Sequence, residues 1–283
     1  MKDRFDTEWL VREGAPDLHL TVAGVEDAKA TVVLVHGIGW HAGFYTRLMS
    51  RLRREGLRVV AVDLRGHGKS LGERGLHMYE ELLEDTLDVV DAAIRKYGQE
   101  VYLFGTSFGA SVAYYAAVRE PRLKGLILHN AWDIRNLPAS IDKPRIDSLL
   151  SKYGHEPERM ISLPVMMGLR MTWHLFDNKL RLLAMFKDKL WHRKWSVRSW
   201  ASFLGYVPDE RHINDFSLHT LVITGDKDGM LPLDYTKEVF CSLATTEKDL
   251  AVVANAGHML LIEHVEWTVP IIAGWMDRRL ARR

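Results

Sequence analysis

A single cysteine, Cys241, is all the thiol chemistry in this chain of 283 residues. One thiol cannot close an internal disulfide, and no Cys or His spacing in the sequence matches a zinc site. Cys241 lies in "EVFCSLA", on what reads as the apolar side of a helix, so it is expected to be buried as a small hydrophobe. Net charge is equally scarce: 38 Lys and Arg stand against 37 Asp and Glu, a formal +1. No global field therefore recruits nucleic acid or an anionic membrane. Long hydrophobic runs are missing, and nothing approaches the roughly 20 residues of a membrane-spanning helix. The opening "MKDRFDTEWLVREG" is charged throughout and has no apolar h-region, so no signal peptide and a cytoplasmic location are expected. Internal repeats and low-complexity segments are absent too. Two local basic patches, "RLRREGLR" and the final "DRRLARR", read as a solvated helix face and a tail.

What the chain does have is apolar content, 47% of residues, enough for a sizeable core in one large domain. "TVVLVHG" (31–37) is almost continuous β-branched hydrophobe ending in glycine, the pattern of a buried parallel strand. "GFYTRLMSRLRREG" follows with helical spacing, and "LRVVAVDLRGHG" gives a second buried strand. A long helix is predicted from Met78 to Tyr97, acidic in its first turns, basic in its last and closed by Gly98. "VYLFG", "SFGASVAYYAAVRE" and "LKGLILHN" continue the alternation. It resumes with "HTLVITG", "DYTKEVFCSLA", "KDLAVVANAG" and a last helix from about Met259. Strands alternating with helices imply a mostly parallel sheet covered on both faces. "DTEWLVRE" and "DLHLTVAG" are expected to pair antiparallel beside it.

The alternation breaks between about residues 133 and 217, where Leu, Met, Trp, Arg and Lys dominate. This segment reads as a helical cap inserted into a core domain made of residues 1–132 and 218–283. Its place after a strand end puts it over the carboxyl edge of the sheet, where open α/β sheets bind ligands. "PVMMGLRMTWHLF" and "LWHRKWSVRSWASFLGY" can line an acyl tunnel or serve as the cap's own core. The interleaved Arg and Trp of 191–200 also suggest a weak peripheral contact with a lipid surface.

The chemistry begins at "LFGTSFGASV". Ser107 stands between Gly105 and Gly109 where a strand hands over to a helix, the setting of a nucleophile on a sharp turn. The N–H of Phe108 opens that helix, and the N–H of Ile38 in "VHGIGWH" supplies a second donor for an oxyanion. A base is expected at His258 in "VVANAGHMLLIE", and an orienting acid at Asp226 or Asp228 in "LVITGDKDGMLP". Ser, then Asp, then His, each after a predicted strand, is the chain order of the α/β-hydrolase triad.

These stretches resemble the α/β-hydrolase superfamily, and within it the monoacylglycerol lipase and lysophospholipase (serine aminopeptidase S33-like) group. The resemblance rests on "HGIGWHAGFY", "VDLRGHGKSLGERG", "GTSFG", "GDKDGMLP" and "AGHML", over roughly 31–131 and 218–265. It implies Asp228 rather than Asp226 as the acid, the amides of Ile38 and Phe108 as the oxyanion site, and a structural role for Asp63, Arg65 and His67. Neither a metal nor an organic cofactor is implied; the partner is a small-molecule ester or lipid. Three positions depart from the group: Thr106 and Phe108 flank the nucleophile where His and Met are usual, and Trp40 stands in place of Glu. With Trp132, Trp40 and Thr106 are the side chains expected to bound the substrate pocket. The reading is a serine hydrolase of carboxylic esters with apolar acyl groups. A thioesterase, an acyltransferase or a small-ester or lactone hydrolase would use the same three residues, and a silent binding protein the same scaffold. Nothing in the sequence fixes an oligomeric state.

Overall fold

The fold is described from a computed structural model, covering residues 5–138, 141–162, 173 and 175–281. Eight strands form one sheet in the order β1-β2-β4-β3-β5-β6-β9-β10. They are β1 (Asp6–Leu10), β2 (Leu18–Ala23), β3 (Ala30–Val35), β4 (Leu57–Val62), β5 (Val101–Thr106), β6 (Gly125–His129), β9 (Thr220–Gly225) and β10 (Lys248–Val253). Only the pairings of β2 with β1 and β4 are antiparallel; from β4 to β10 every neighbour is parallel. This is the α/β-hydrolase fold, and the expected antiparallel pair at the start of the chain is present. The central strands carry no solvent-facing side, which is why they read as unbroken apolar runs rather than alternating ones.

Among the described residues the α-helices are α1 (Thr46–Arg54), α2 (Tyr79–Tyr97), α3 (Phe108–Ala117), α4 (Lys143–Tyr153), α5 (Lys179–Lys187), α6 (Val197–Leu204), α7 (Glu210–Asn214), α8 (Leu233–Ser242), α9 (Leu260–Glu263) and α10 (Val265–Leu280). Met78 caps α2 instead of opening it: its N–H donates to Glu81 Oε2 at 2.7 Å. The final helix is broken at His264 into α9 and α10. No helix among the described residues is long and apolar enough to cross a membrane.

Three expectations need correction. Cys241 is exposed. The buried side of α8 is Tyr235, Thr236 and Val239, and Cys241, two residues past Val239, falls about 200° round the helix from it. The segment between β6 and β9 is not wholly helical, because β7 (Met160–Ser162) and β8 (Lys194–Ser196) form a small antiparallel sheet. Strands of three residues are too short to show a period. Finally, Trp191, Trp195 and Trp200 are buried, so the Arg/Trp stretch offers no tryptophan to a lipid surface. The "PVMMGLRMTWHLF" stretch lies largely outside the described residues.

The inserted segment docks on the sheet domain through short polar ties. Ser196 N–H and Ser199 Oγ both donate to the Gly75 carbonyl, at 2.9 and 2.8 Å, and the amides of His77 and Tyr79 donate to Ser199 Oγ and Ser202 Oγ. The loop after β4 is held from below by charge. Asp85 is fully buried and receives Arg65 Nε at 2.9 Å, Arg65 Nη2 at 2.6 Å and Arg12 Nη1 at 2.7 Å. Asp63 accepts from the amides of Ala42 (2.7 Å) and Lys69 (3.0 Å) and faces His19, tying this loop to the one after β3. Removing Asp85 would take from Arg65 and Arg12 the fully buried carboxylate they share, leaving them as carboxylate partners only the more exposed Glu81 and Asp88. Asp85→Ala is therefore expected to cost about 3–5 kcal/mol, read as a lower midpoint in urea or thermal denaturation.

Candidate active site

Ser107 sits at the turn between β5 and α3 with φ 54 and ψ −122, one of the few non-glycine residues at positive φ. That conformation costs on the order of 1–3 kcal/mol and persists only where the surroundings fix it. Here they do. Ser107 N–H donates to His129 O at 2.8 Å, and its carbonyl accepts from Ala110 N–H at 2.7 Å and from the Trp132 indole Nε1 at 3.1 Å. Gly105 and Gly109 are dictated by the same turn. A Cβ on Gly105 would stand 2.2 Å from Gly109 O, and one on Gly109 would stand 2.3 Å from His36 O. The turn is thus pressed against the loop after β3, and the side chain of Ile38 on that loop lines the same cleft as Ser107. Phe108 is the first residue of α3, where backbone N–H groups have no intrahelical acceptor and the helix dipole is positive.

His258, on the loop after β10, is buried at 1% exposure and turned toward the serine. Its Nε2 lies 3.1 Å from Ser107 Oγ, and its Nδ1 lies 2.7 Å from Asp228 Oδ2. Asp228 is held in turn: Oδ1 accepts from the amides of Met230 (2.8 Å) and Leu231 (2.9 Å). With Nδ1–H donated to the carboxylate, Nε2 carries the lone pair facing the hydroxyl. The chain hydroxyl–imidazole–carboxylate can move a proton from Oγ to Nε2 and stabilise the imidazolium that results. Asp226, the other aspartate of that loop, is exposed. Gly225 lets the two loops close on each other, since a Cβ there would fall 2.0 Å from Ala256 O.

One residue of this cluster has no sequence signature. Asn130, just past β6, is fully buried with φ 51, a backbone conformation that Asn tolerates better than most residues. Its Nδ2 donates to the His258 carbonyl at 2.7 Å and its Oδ1 accepts from Thr224 Oγ1 at 3.2 Å. It clamps the His258 backbone to the sheet.

Of the three expected pocket residues, the structure brings one to the cleft. Trp132 lines it together with Ile38, Ser107, Ile141, Ile146, Trp200, Phe203, Leu204, Met230 and Leu231, around about 580 Å³ of space including its open mouth. Thr106 is buried beneath, its Oγ1 2.8 Å from His129 Nδ1. Trp40 packs on Phe44 and Phe176. The Phe108 ring points into an aromatic cluster with Tyr79, Trp195 and Phe203. Burial keeps the neighbouring imidazoles neutral. It lowers His36 to about 4 and, with the nearby His258 adding to the effect, holds His129 well below the usual histidine range. His36 keeps a defined tautomer, with Nδ1 donating to Gly37 O at 2.8 Å and Nε2 accepting from Leu64 N–H at 3.1 Å.

Comparison with known proteins places the chain in a family. The family "Serine aminopeptidase, S33" matches residues 26–265, and the chain belongs to this α/β-hydrolase family. It is an enzyme of the hydrolase class. The chain is 26% identical over 261 residues to the monoglyceride lipase of Rattus norvegicus, covering 89% of this chain and 84% of the rat protein. It is 25% identical over 271 residues to the 2-hydroxy-6-oxononadienedioate/2-hydroxy-6-oxononatrienedioate hydrolase 1 of Pseudomonas putida, covering 90% and 91%. Two solved structures share the fold. A monoglyceride lipase of Saccharomyces cerevisiae matches at TM-score 0.81 and 17% identity, covering 97% of this chain and 96% of that one. The monoacylglycerol lipase of Paleococcus ferrophilus matches at 0.74 and 24%, covering 93% and 99%.

Truncating Asn130 would leave the His258 carbonyl and the Thr224 hydroxyl buried without a partner. Asn130→Ala is expected to lose about 1–3 kcal/mol of stability in urea denaturation, with a parallel fall in turnover of p-nitrophenyl acetate.

Proposed function

We propose that the protein hydrolyses carboxylic esters of apolar acids through an acyl-enzyme, with Ser107 as nucleophile, His258 as general base and acid, and Asp228 as its orienting carboxylate. The observation that carries this reading is the 3.1 Å approach of His258 Nε2 to Ser107 Oγ, backed by the 2.7 Å contact of Nδ1 with Asp228. His258 takes the hydroxyl proton as Ser107 attacks the ester carbonyl. The amides of Ile38 and Phe108 receive the oxyanion, donors worth about 3–4 kcal/mol each where tested in other enzymes. His258 then protonates the leaving alcohol, and water activated by the same imidazole releases the acid. Residues 133–217 act as the cap that encloses the acyl chain.

The lining of the cleft supports the substrate class. Apart from the Ser107 hydroxyl and the indole N–H groups of Trp132 and Trp200, its described walls are hydrocarbon, aromatic or thioether. Such a surface favours an alkyl chain. It counts against the dicarboxylate in the name of the Pseudomonas putida relative, because a carboxylate buried without a cation carries a desolvation penalty of several kcal/mol. A glycerol head group has no support from the polar positions, since Trp40 and Thr106 both lie behind the cleft wall.

Ser107→Ala and His258→Ala are each expected to lower kcat by about 10⁶, as in another triad enzyme. A purified Ser107→Ala protein with most of its esterase activity intact would overturn the assignment. The acid is tested by a paired comparison, in which Asp228→Asn abolishes most turnover while Asp226→Asn leaves it near the wild-type value. A series of p-nitrophenyl esters from two to sixteen carbons tests the acyl preference; kcat/KM should rise with chain length before it levels off, and a steady decline from two carbons would argue for a small-ester hydrolase.

A further inference from the structure

Two consecutive residues of the inserted segment touch both loops on which the proposed chemistry depends. The Phe176 ring stacks on Trp40, centroids 5.9 Å apart and 18° from parallel. Trp40 closes the turn that contains Ile38, its N–H donating to Gly37 O at 3.1 Å. The next residue, Asp177, reaches the other way. Its Oδ2 accepts from Gly257 N–H at 3.1 Å, one residue before His258, and lies 3.1 Å from His264 Nε2. Gly257 is shaped to that carboxylate, for a Cβ there would stand 2.6 Å from Asp177 Oδ1.

The grip is reinforced on each side. Glu263 accepts from the amides of Asp177 (2.8 Å) and Asn178 (2.9 Å). On the loop after β3, the His192 amide donates to Gly39 O at 2.7 Å, and His41 Nε2 lies 3.2 Å from Asp188 Oδ2. None of these groups lines the cleft beside Ser107 among its described walls.

We infer that Phe176 and Asp177 form a bracket in which Asp177 is a positioning residue: it sets the loop of His258 against the loop of Ile38, so that seating of the cap and alignment of base and oxyanion donor are one event. The inference rests on the reading of Ser107 and His258 given above. Asp177 is half-exposed, and exposed ion pairs contribute little to global stability. Its effect therefore falls on geometry, where a displacement near 1 Å can cost up to about a hundredfold in rate.

The test uses the full chain and two substrates that need no acyl tunnel, p-nitrophenyl acetate for kcat and KM, and a fluorophosphonate probe for the rate of labelling at Ser107. Asp177→Ala should lower kcat and the labelling rate together by about ten- to a hundredfold, with KM little changed. Asp177→Asn, which keeps an acceptor oxygen for Gly257 N–H, should recover most of the loss. Gly257→Ala should reproduce the defect, and the double variant should be no worse than either single one, because the carboxylate that clashes with the new Cβ is gone. A native melting curve with unchanged kcat and labelling in Asp177→Ala overturns the bracket, as does a Gly257→Ala loss that simply adds to that of Asp177→Ala. Should Asp177→Ala unfold under assay conditions, Asp177→Asn and Gly257→Ala decide alone: full activity in Gly257→Ala overturns the bracket, and a loss there with Asp177→Asn near wild type upholds it. Ser107→Ala separates the two claims. If it still takes the probe at the same rate, the hydrolytic reading fails; if it is inert while Asp177→Ala is unimpaired, only the bracket fails.

Discussion

The strained backbone at Ser107 is the constraint on which the rest of the site depends. A non-glycine residue at φ 54 survives there because β5 and α3 are forced together at Gly105 and Gly109. The same contact presses α3 against the carbonyls of Val35 and His36 at the end of β3. The turn of Ser107 and the loop of Ile38 are therefore not separately adjustable. A side chain on either glycine would move the Ser107 hydroxyl and the Ile38 amide apart in the same step. The sheet supplies the rigidity, since β5 lies between β3 and β6, and β6 delivers the His129 carbonyl that receives the Ser107 amide.

A second ordering principle is the loss of charge from buried imidazoles, one of which, His129, has its ring 6.4 Å from that of His258. His36, His67, His77, His129 and His192 are all buried, and that burial lowers each of them. His77 falls to about 3 and His192 to about 4, so these rings stay neutral across the range in which an esterase works. A low-dielectric surround strengthens every remaining electrostatic contact. In it, the Asp228 carboxylate is bound by two amides and one imidazole, and the hydroxyl has one acceptor. The buried ionic groups Asp63, Arg65 and Asp85 do the opposite job, holding loops through fixed charge pairs away from the serine.

Much of this was legible from sequence because it is imposed by local chemistry. A parallel strand buried on both faces must be apolar throughout, and a serine on a strand-to-helix turn must be flanked by glycine. Once the three elements were ordered, Ser107, His258 and one of two aspartates followed. What sequence could not supply were relations set by packing. Asn130 clamps His258 from a position 128 residues away, with only an amide in a loop to announce it. The burial of Trp191, Trp195 and Trp200 follows from how the inserted segment docks on α2, and an alternation of Arg and Trp does not encode the docked face. Cys241 misleads for a simpler reason. Its neighbours are apolar, but the helix turns by about 100° per residue and carries the thiol past the contact. The short sheet of β7 and β8 joins residues more than thirty apart, each contributing three.

Trp132 shows how tightly the cleft wall and the turn of Ser107 are joined. It lines the cleft, while its indole N–H donates to the Ser107 carbonyl at 3.1 Å and its ring packs at a tilt against Phe203 with centroids 5.4 Å apart. The wall that would meet the acyl chain is thus also one of the supports of the strained serine. Widening the cleft by shortening this residue would remove a hydrogen bond from a backbone that is already under strain, so room in the cleft is gained at the expense of the alignment of Ser107. Ile141, Ile146 and Leu204 carry no such second duty in the described contacts, and they come from the inserted segment. The shape of the cleft can therefore change through those apolar side chains while the turn that holds Ser107 stays fixed. That division is compatible with a Ser107 turn flanked by Thr106 and Phe108, where the group it resembles usually carries His and Met.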